Sequence, residues 1–199
     1  GLGDVYKRQW HMCQERWNDD AGCGEGYYTN RMAMGRTVLG ADLSRDGIDH
    51  AAKTANRTES GAGFAVCSLF ELPVADGAAD TVTSLFAPCA ETEFLRVLRD
   101  GGYLLLVGAG REHLMGLKRA LYDTPTVNEG RADLPQSMTL VRRERLTGEM
   151  TVEGAEMIDA LFSMTPYYWK TPRDGAARLA ALPQLTTTIA FRFLVFEKL

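Results

Sequence analysis

Residues 20–28 read Asp-Ala-Gly-Cys-Gly-Glu-Gly-Tyr-Tyr, and this run constrains the chain more than any other. Gly22, Gly24 and Gly26 recur at every second position, a composition poor for a helix or strand interior and suited to a turn that needs positive φ. The run also heads a regular alternation. A short helical stretch over 27–34 is followed by the apolar run TVLGAD (37–42) and a helix over 45–56, for which Ser44 is the expected N-cap. GFAVCSL (63–69) is a third apolar run, and a loop carrying Pro73 and Gly77 leads to a strand over 80–86. A helix over 91–98, the turn Asp100-Gly101-Gly102, a strand over 103–109 and a helix over 112–122 complete the series. Strands alternating with helices predict an α/β fold, a parallel sheet with helices on both faces. The run YLLLVGA (103–109) fits a strand covered on both sides. After residue 122 the alternation lapses into a loop, a strand over 137–148, a helix over 152–164 and a final strand over 186–197.

The loop's spacing, D-x-G-x-G-x-G, is one residue tighter than the dinucleotide fingerprint G-x-G-x-x-G, which places a pyrophosphate at a helix N-terminus. The tighter form suits a ligand without a pyrophosphate, such as S-adenosylmethionine, whose sulfonium and amino groups are cationic. Asp20 and Glu25 supply the matching negative charge. Asp42 ends the next strand, about 20 residues further on, where an acid can accept hydrogen bonds from both hydroxyls of a ribose. Ser68 and Leu69 end the third run and border the expected adenine pocket. Taken singly, each feature also reads as an ordinary turn or strand end.

The length, 199 residues, fits one domain able to bury its own core. Residues 1–19 show no clear period and read as a linker-like or non-native segment, with the domain occupying 20–199. A net charge of −4 argues against a surface that binds nucleic acid everywhere, though Lys118, Arg119, Arg142, Arg143 and Arg145 can form a local basic rim. Cys13, Cys23, Cys67 and Cys89 show no CxxC spacing, so no metal is expected and the thiols read as small apolar side chains. No apolar run approaches the roughly 18 residues of a membrane span, and no secretory leader is visible. A cytoplasmic protein without a membrane partner is expected.

DAGCGEGYY, GADLS and ELPVADGAAD resemble class I methyltransferases. FAPCAETEFLRVLRDGG (86–102), GREHLMGLKRALYD (110–123), MTPYYWK (164–170) and the closing FRFLVFEKL resemble one branch, the large-subunit (23S) ribosomal RNA guanine-N1 methyltransferases. The resemblance covers residues 20–199. It implies a Rossmann-like class I fold with a mostly parallel seven-stranded sheet and an antiparallel C-terminal strand. It implies S-adenosylmethionine as cofactor, methyl transfer to N1 of a guanine, and a 23S rRNA hairpin as partner. Gly24 and Glu25 match the family's cofactor loop, Asp42 its ribose acid and His113 a cofactor-contacting histidine. In this family a four-cysteine zinc ribbon precedes the catalytic domain. Here no such ribbon is visible, and QERWND stands where an apolar first strand is expected, so the chain reads as truncated or joined near Asp20.

The substrate is expected beyond the fourth strand, at Phe86-Ala87-Pro88-Cys89. Phe86 would stack on the base and backbone carbonyls around Pro88 would orient it. Glu93 is the candidate for removing the N1 proton. Tyr167, Tyr168 and Trp169 read as a lid, as core, or as a stacking platform. Two other readings stay open: a methyltransferase of small molecules, and an inactive methyltransferase fragment. A homodimer is left open too.

Overall fold

The structure, a computed structural model, describes residues 17–130 and 134–199. Seven strands form one sheet in the order β3-β2-β1-β4-β5-β7-β6. They are β1 (Trp17–Ala21), β2 (Thr37–Asp42), β3 (Gly63–Val66), β4 (Ala79–Leu85), β5 (Leu98–Ala109), β6 (Thr139–Glu153) and β7 (Gln184–Glu197). β1 pairs in parallel with β2 and β4, β2 with β3, and β4 with β5. β7 runs the other way. Gly101 N donates to Lys198 O at 2.8 Å and Gly110 N to Ala190 O at 2.8 Å, so numbers rise on β5 as they fall on β7. The expected α/β architecture with a reversed C-terminal strand is the one observed.

The helices are α1 (Tyr27–Met32), α2 (Arg45–Thr58), α3 (Glu91–Val97), α4 (Met115–Leu121), α5 (Ala155–Ser163) and α6 (Arg173–Ala180). The described residues divide into two compact units, 17–108 with 134–144 and 193–199, and 109–130 with 145–192. In the first unit α2 starts where expected, because Ser44 Oγ accepts from Gly47 N at 3.1 Å. Its buried residues, Gly47, Ile48, Ala51 and Ala55, recur at helical spacing and turn one stripe inward. Val82, Phe94, Val97, Leu98, Leu104 and Leu106 form the centre of this unit's core. Among the described residues, no helix is long and apolar enough to cross a membrane.

The second unit has its own core of Leu114, Leu117, Leu121, Ile158, Phe162, Leu179 and Leu185. The helix expected from 112 begins only at Met115, because Leu114 takes a left-handed conformation at φ 56°. The strand expected to stop at 148 runs on to Glu153, and Gly154 at φ 83° then turns the chain into α5. α6 is unforeseen. Its sequence RDGAARLA buries only Gly175 and Leu179, so it carries almost no apolar period. Gly175 is there for contact, since a Cβ on it would lie 2.2 Å from Leu121 O of α4.

β1 is the least expected element, for its sequence is WNDDA and it lies inside the sheet between β2 and β4. The boundary drawn after residue 19 therefore falls within a strand, while residues 1–16 lie outside the described residues. In register, Asp19 stands beside Leu39 on β2 and Val82 on β4, and Val82 beside Leu104 on β5. Neighbours in a parallel sheet point to the same face, so Asp19 interrupts an apolar row. It is 1% exposed, and neither carboxylate oxygen has a hydrogen-bond partner among the described residues.

Burial, with Asp20 alongside, raises the Asp19 carboxyl from 3.8 to about 7. A raised carboxyl favours folding in its protonated form. That contribution is full below the unfolded value and is lost as pH rises through about 7. Its scale is a few kcal/mol, at about 1.4 kcal/mol per pKa unit. Asp19→Leu is therefore expected to raise the melting temperature at neutral pH by several degrees. It should also reduce, without abolishing, the loss of stability between mildly acidic and neutral pH. Asp20, raised to about 6, keeps a slope of the same sign. Thermal unfolding across that range checks this, and an unchanged slope would place the titration elsewhere.

Candidate active site

The glycine run connects β1 to α1, and its alternating spacing has a backbone cause. Gly22, Gly24 and Gly26 all have positive φ, at 82°, 53° and 70°. Gly22 N and Cys23 N both donate to Ala41 O, at 2.8 and 3.1 Å, which ties the loop to the end of β2. The three glycines then serve different ends. A Cβ on Gly22 would lie 2.5 Å from Ala87 Cβ, and one on Gly26 would lie 2.6 Å from Ala51 Cβ. A Cβ on Gly24 would meet nothing within 4 Å, so that glycine faces open space. Gly22 and Gly26 are set by packing, and Gly24 by the loop's turn and by access to its surface.

Asp42, at the end of β2, holds the loop from one side. Its Oδ2 accepts from Gly24 N at 2.9 Å and its Oδ1 from Ser44 N at 2.8 Å. Each oxygen keeps a lone pair for a further donor. The first turn of α2 closes on the same loop, since a Cβ on Gly47 would lie 3.0 Å from Gly24 O. Cys67 N donates to Asp42 O at 3.0 Å and brings residues 67–69 alongside. Ser68 Oγ accepts from Phe70 N at 3.2 Å, and Leu69 Cδ1 lies 3.7 Å from the Cβ position on Gly22. Gly22, Gly24, Asp42, Ser68 and Leu69 are thus gathered at the carboxyl ends of parallel strands, where ligands of open α/β sheets bind.

Asp20 is placed otherwise than its proposed charge role suggests. It is fully buried beneath the loop, where Thr29 Oγ1 donates to Oδ2 at 2.6 Å and Thr83 Oγ1 to Oδ1 at 3.1 Å. Burial raises its carboxyl to about 6 against the opposing pull of these hydroxyls. Glu25 is exposed on the loop. Thr29 and Thr83 escaped the sequence reading, although a buried acid requires such donors.

At the end of the next strand, Phe86 follows β4 with φ 59° and is half exposed, while its N donates to Val107 O at 2.9 Å. A bulky residue at positive φ is strained, and the surrounding bonds hold it there. The Ser84 hydroxyl lies 3.3 Å from both Ala87 O and Pro88 O and donates into that turn. Glu93 is engaged as an ion-pair and backbone acceptor. Arg96 donates to it at 2.6 and 3.0 Å, and Leu72 N donates to its Oε1 at 2.6 Å. The Arg96 hydrogen bonds hold this carboxyl below the usual range. A carboxylate so held is a poor proton acceptor, so the geometry gives Glu93 to pinning residues 72–76 against α3.

His113 belongs to the second unit. Its Nδ1 accepts from Ala190 N at 3.3 Å and its ring packs on Phe191 at 4.9 Å. Burial lowers its basicity, so the ring is neutral near pH 7 with its proton on Nε2. In the same unit Tyr167 OH donates to Asn128 Oδ1 at 3.2 Å, whereas Trp169 is 85% exposed. Among the described residues, no group of three or more His, Cys, Asp or Glu is arranged to hold a metal.

This arrangement is that of a class I methyltransferase. Residues 20–106 match the family described as the methyltransferase domain. The chain is 30% identical over 190 residues to YxjB of Bacillus subtilis, named for 23S rRNA (guanine-N1) methylation, covering 90% of this chain and 66% of the relative. It is 31% identical over 184 residues to the 23S rRNA (guanine(748)-N(1))-methyltransferase of Streptomyces fradiae, covering 86% and 64%. The chain thus spans somewhat less than two thirds of the length of these relatives. In fold it is similar to YcgJ of Bacillus subtilis, with a TM-score of 0.65 at 14% identity over 99% of each chain. It is also similar to a SAM-dependent methyltransferase from Methanosarcina mazei, at 0.59 and 18% identity over 95% of each. The chain has the class I methyltransferase fold and carries a methyltransferase domain over residues 20–106, and S-adenosylmethionine is the cofactor that such a domain implies. The open side of Gly24 and the spare lone pairs of Asp42 fit that cofactor.

Two substitutions separate packing from access. Gly22→Ala and Gly24→Ala share a left-handed penalty of about 1 kcal/mol, but only the first also meets Ala87. Gly22→Ala is expected to lower the melting temperature well beyond Gly24→Ala. Gly24→Ala should keep the fold and weaken S-adenosylhomocysteine binding about tenfold or more in calorimetric titration. Equal melting temperatures would contradict the packing role of Gly22.

Proposed function

We propose that this chain transfers a methyl group from S-adenosylmethionine to N1 of a guanine in 23S ribosomal RNA. One observation carries the reading: identity to relatives named for that reaction runs over 86–90% of this chain, well past the cofactor-binding stretch that ends at residue 106. A protein sharing only residues 20–106 has no reason to match over so much more of the chain.

Gly24 offers its amide face, Asp42 accepts from the ribose hydroxyls, and Ser68 and Leu69 border the adenine. The cofactor supplies a methyl group on cationic sulfur, already activated for displacement. The chain's remaining work is positioning. Phe86, held half exposed at the end of β4, gives a guanine a ring to stack on. The carbonyls of Ala87 and Pro88, braced by Ser84, orient the base edge. Both acids in the first turn of α3 are spent on main-chain amides. Glu91 accepts from Gln136 N at 2.7 Å and Ser137 N at 2.6 Å, and Glu93 accepts from Leu72 N. Both are already engaged, so the N1 proton passes to solvent, while the carbonyls of Ala87 and Pro88 accept hydrogen bonds from the base edge.

The test is incorporation of radiolabelled methyl into a ribosomal RNA hairpin, run beside a pool of small metabolites. RNA labelling is expected. Phe86→Ala should lower kcat tenfold or more while cofactor affinity stays unchanged, and Asp42→Ala should weaken S-adenosylhomocysteine at least tenfold, as loss of charge-assisted hydrogen bonds predicts. Label in metabolites alone would replace the RNA reading with a small-molecule one. Cofactor binding without labelling of either pool would leave an inactive fragment.

A further inference from the structure

The second unit contains a cavity of about 310 Å³ that none of the roles above uses. Its wall is formed by the end of β5 and the turn after it, by residues 128–130, and by facing parts of β6 and β7. Three arginines line it, Arg111, Arg145 and Arg192, against two carboxylates, Glu112 and Glu129. None of the three guanidiniums makes a hydrogen bond or ion pair among the described residues. Arg178 in the same unit, by contrast, is engaged by Asp123 and Asp174.

Arg192 stands out. Its Nη2 is shut off from water and has no hydrogen-bond partner among the described residues. A guanidinium N–H without water or an acceptor is costly, and turning the guanidinium towards an anion in the cavity removes that cost. Gly130 lies beside this guanidinium without a side chain to cover it, since a Cβ there would stand 3.4 Å from Arg192 Nη1. Phe191 adds an aromatic wall. The volume lies at the small end for ligand sites, the size of a group and not of a whole cofactor.

We propose that this cavity is a phosphate subsite. Arg192 and Arg111 bind a phosphate group, Arg145 adds positive charge, and the phosphate belongs to the backbone of the RNA strand. The source of the phosphate rests on the RNA reading above; the anion site itself does not. A planar guanidinium forks onto two phosphate oxygens, which suits it to a backbone phosphodiester. The chain's net charge is −4, so its attraction for a polyanion has to be local.

Two measurements on the full chain test this. In the first, arginines are modified with phenylglyoxal with and without inorganic phosphate, and the products are mapped by mass spectrometry. Phosphate should protect Arg192 and Arg111 and leave the exposed surface arginines Arg45 and Arg57 unprotected. In the second, Arg192→Gln and Arg111→Gln should each weaken RNA hairpin binding about tenfold and flatten the salt dependence of log Kd by roughly one unit. S-adenosylhomocysteine affinity should stay at the wild-type value, which shows that the variants fold. No protection by phosphate, with RNA bound at an unchanged salt slope, would overturn the subsite while the RNA reading stands. Protection by phosphate in a wild-type chain that binds no RNA would keep the anion site and overturn its assignment to an RNA strand.

Discussion

A carboxylate shut away from water at the end of β1 underlies the site. Asp20 accepts hydrogen bonds from the hydroxyls of Thr29 on α1 and Thr83 on β4, so one side chain fastens the strand before the loop, the helix after it and the neighbouring strand. Such a group is costly when unpaired and stiffening when paired, because a hydrogen bond in low dielectric is strong. Asp19 shows the other outcome. It is the next residue on the same strand, equally buried, but its carboxylate faces an apolar row and has no partner among the described residues. Alternation along a strand turns one residue type into a brace on one face of the sheet and a burden on the other.

With β1 braced, Asp42 sets the loop's shape before any ligand arrives. Its two oxygens take the amides of Gly24 and Ser44, and Ser44 in turn caps α2. The loop, the end of β2 and the first turn of α2 are thereby one hydrogen-bonded piece. A site held this way loses little conformational freedom on binding, so more of the contact energy remains as affinity. The glycine contacts point the same way, since Gly22, Gly26 and Gly47 allow backbone and side chains to approach more closely than a Cβ permits.

The legible parts of the sequence were those whose cause is local. Positive φ at alternate positions asks for glycine, and that need is written in residues 22, 24 and 26. The Ser44 cap and the apolar β5 are local in the same sense. The brace on Asp20 was not legible, because Thr29 and Thr83 lie 9 and 63 positions away and a threonine in a helix or strand carries no mark of its partner. β1 was hidden for a related reason: its place in the sheet is fixed by neighbours on both sides, against its own polar composition. α6 was missed because a helix packed through one glycine and one leucine leaves no period. Glu93 could have been read better, since Arg96 stands three residues on in a helix, where opposite charges meet.

That ion pair bears on how the proposed reaction can run. Every acid discussed near the end of β4 already has an occupation: Asp20 with two threonines, Asp42 with two amides, Glu91 and Glu93 with main-chain donors. A dedicated base needs a carboxyl poised near neutrality and open to the substrate, and Asp20, which is raised towards it, is sealed under the loop. The features that remain open to a substrate here are an aromatic ring held at positive φ and two carbonyls steadied by Ser84. These orient a base and polarise its edge without exchanging protons. Under the proposed reaction, catalysis at this end of the sheet therefore rests on alignment with an already activated methyl group. The strain kept at Phe86 is then the cost of holding that alignment.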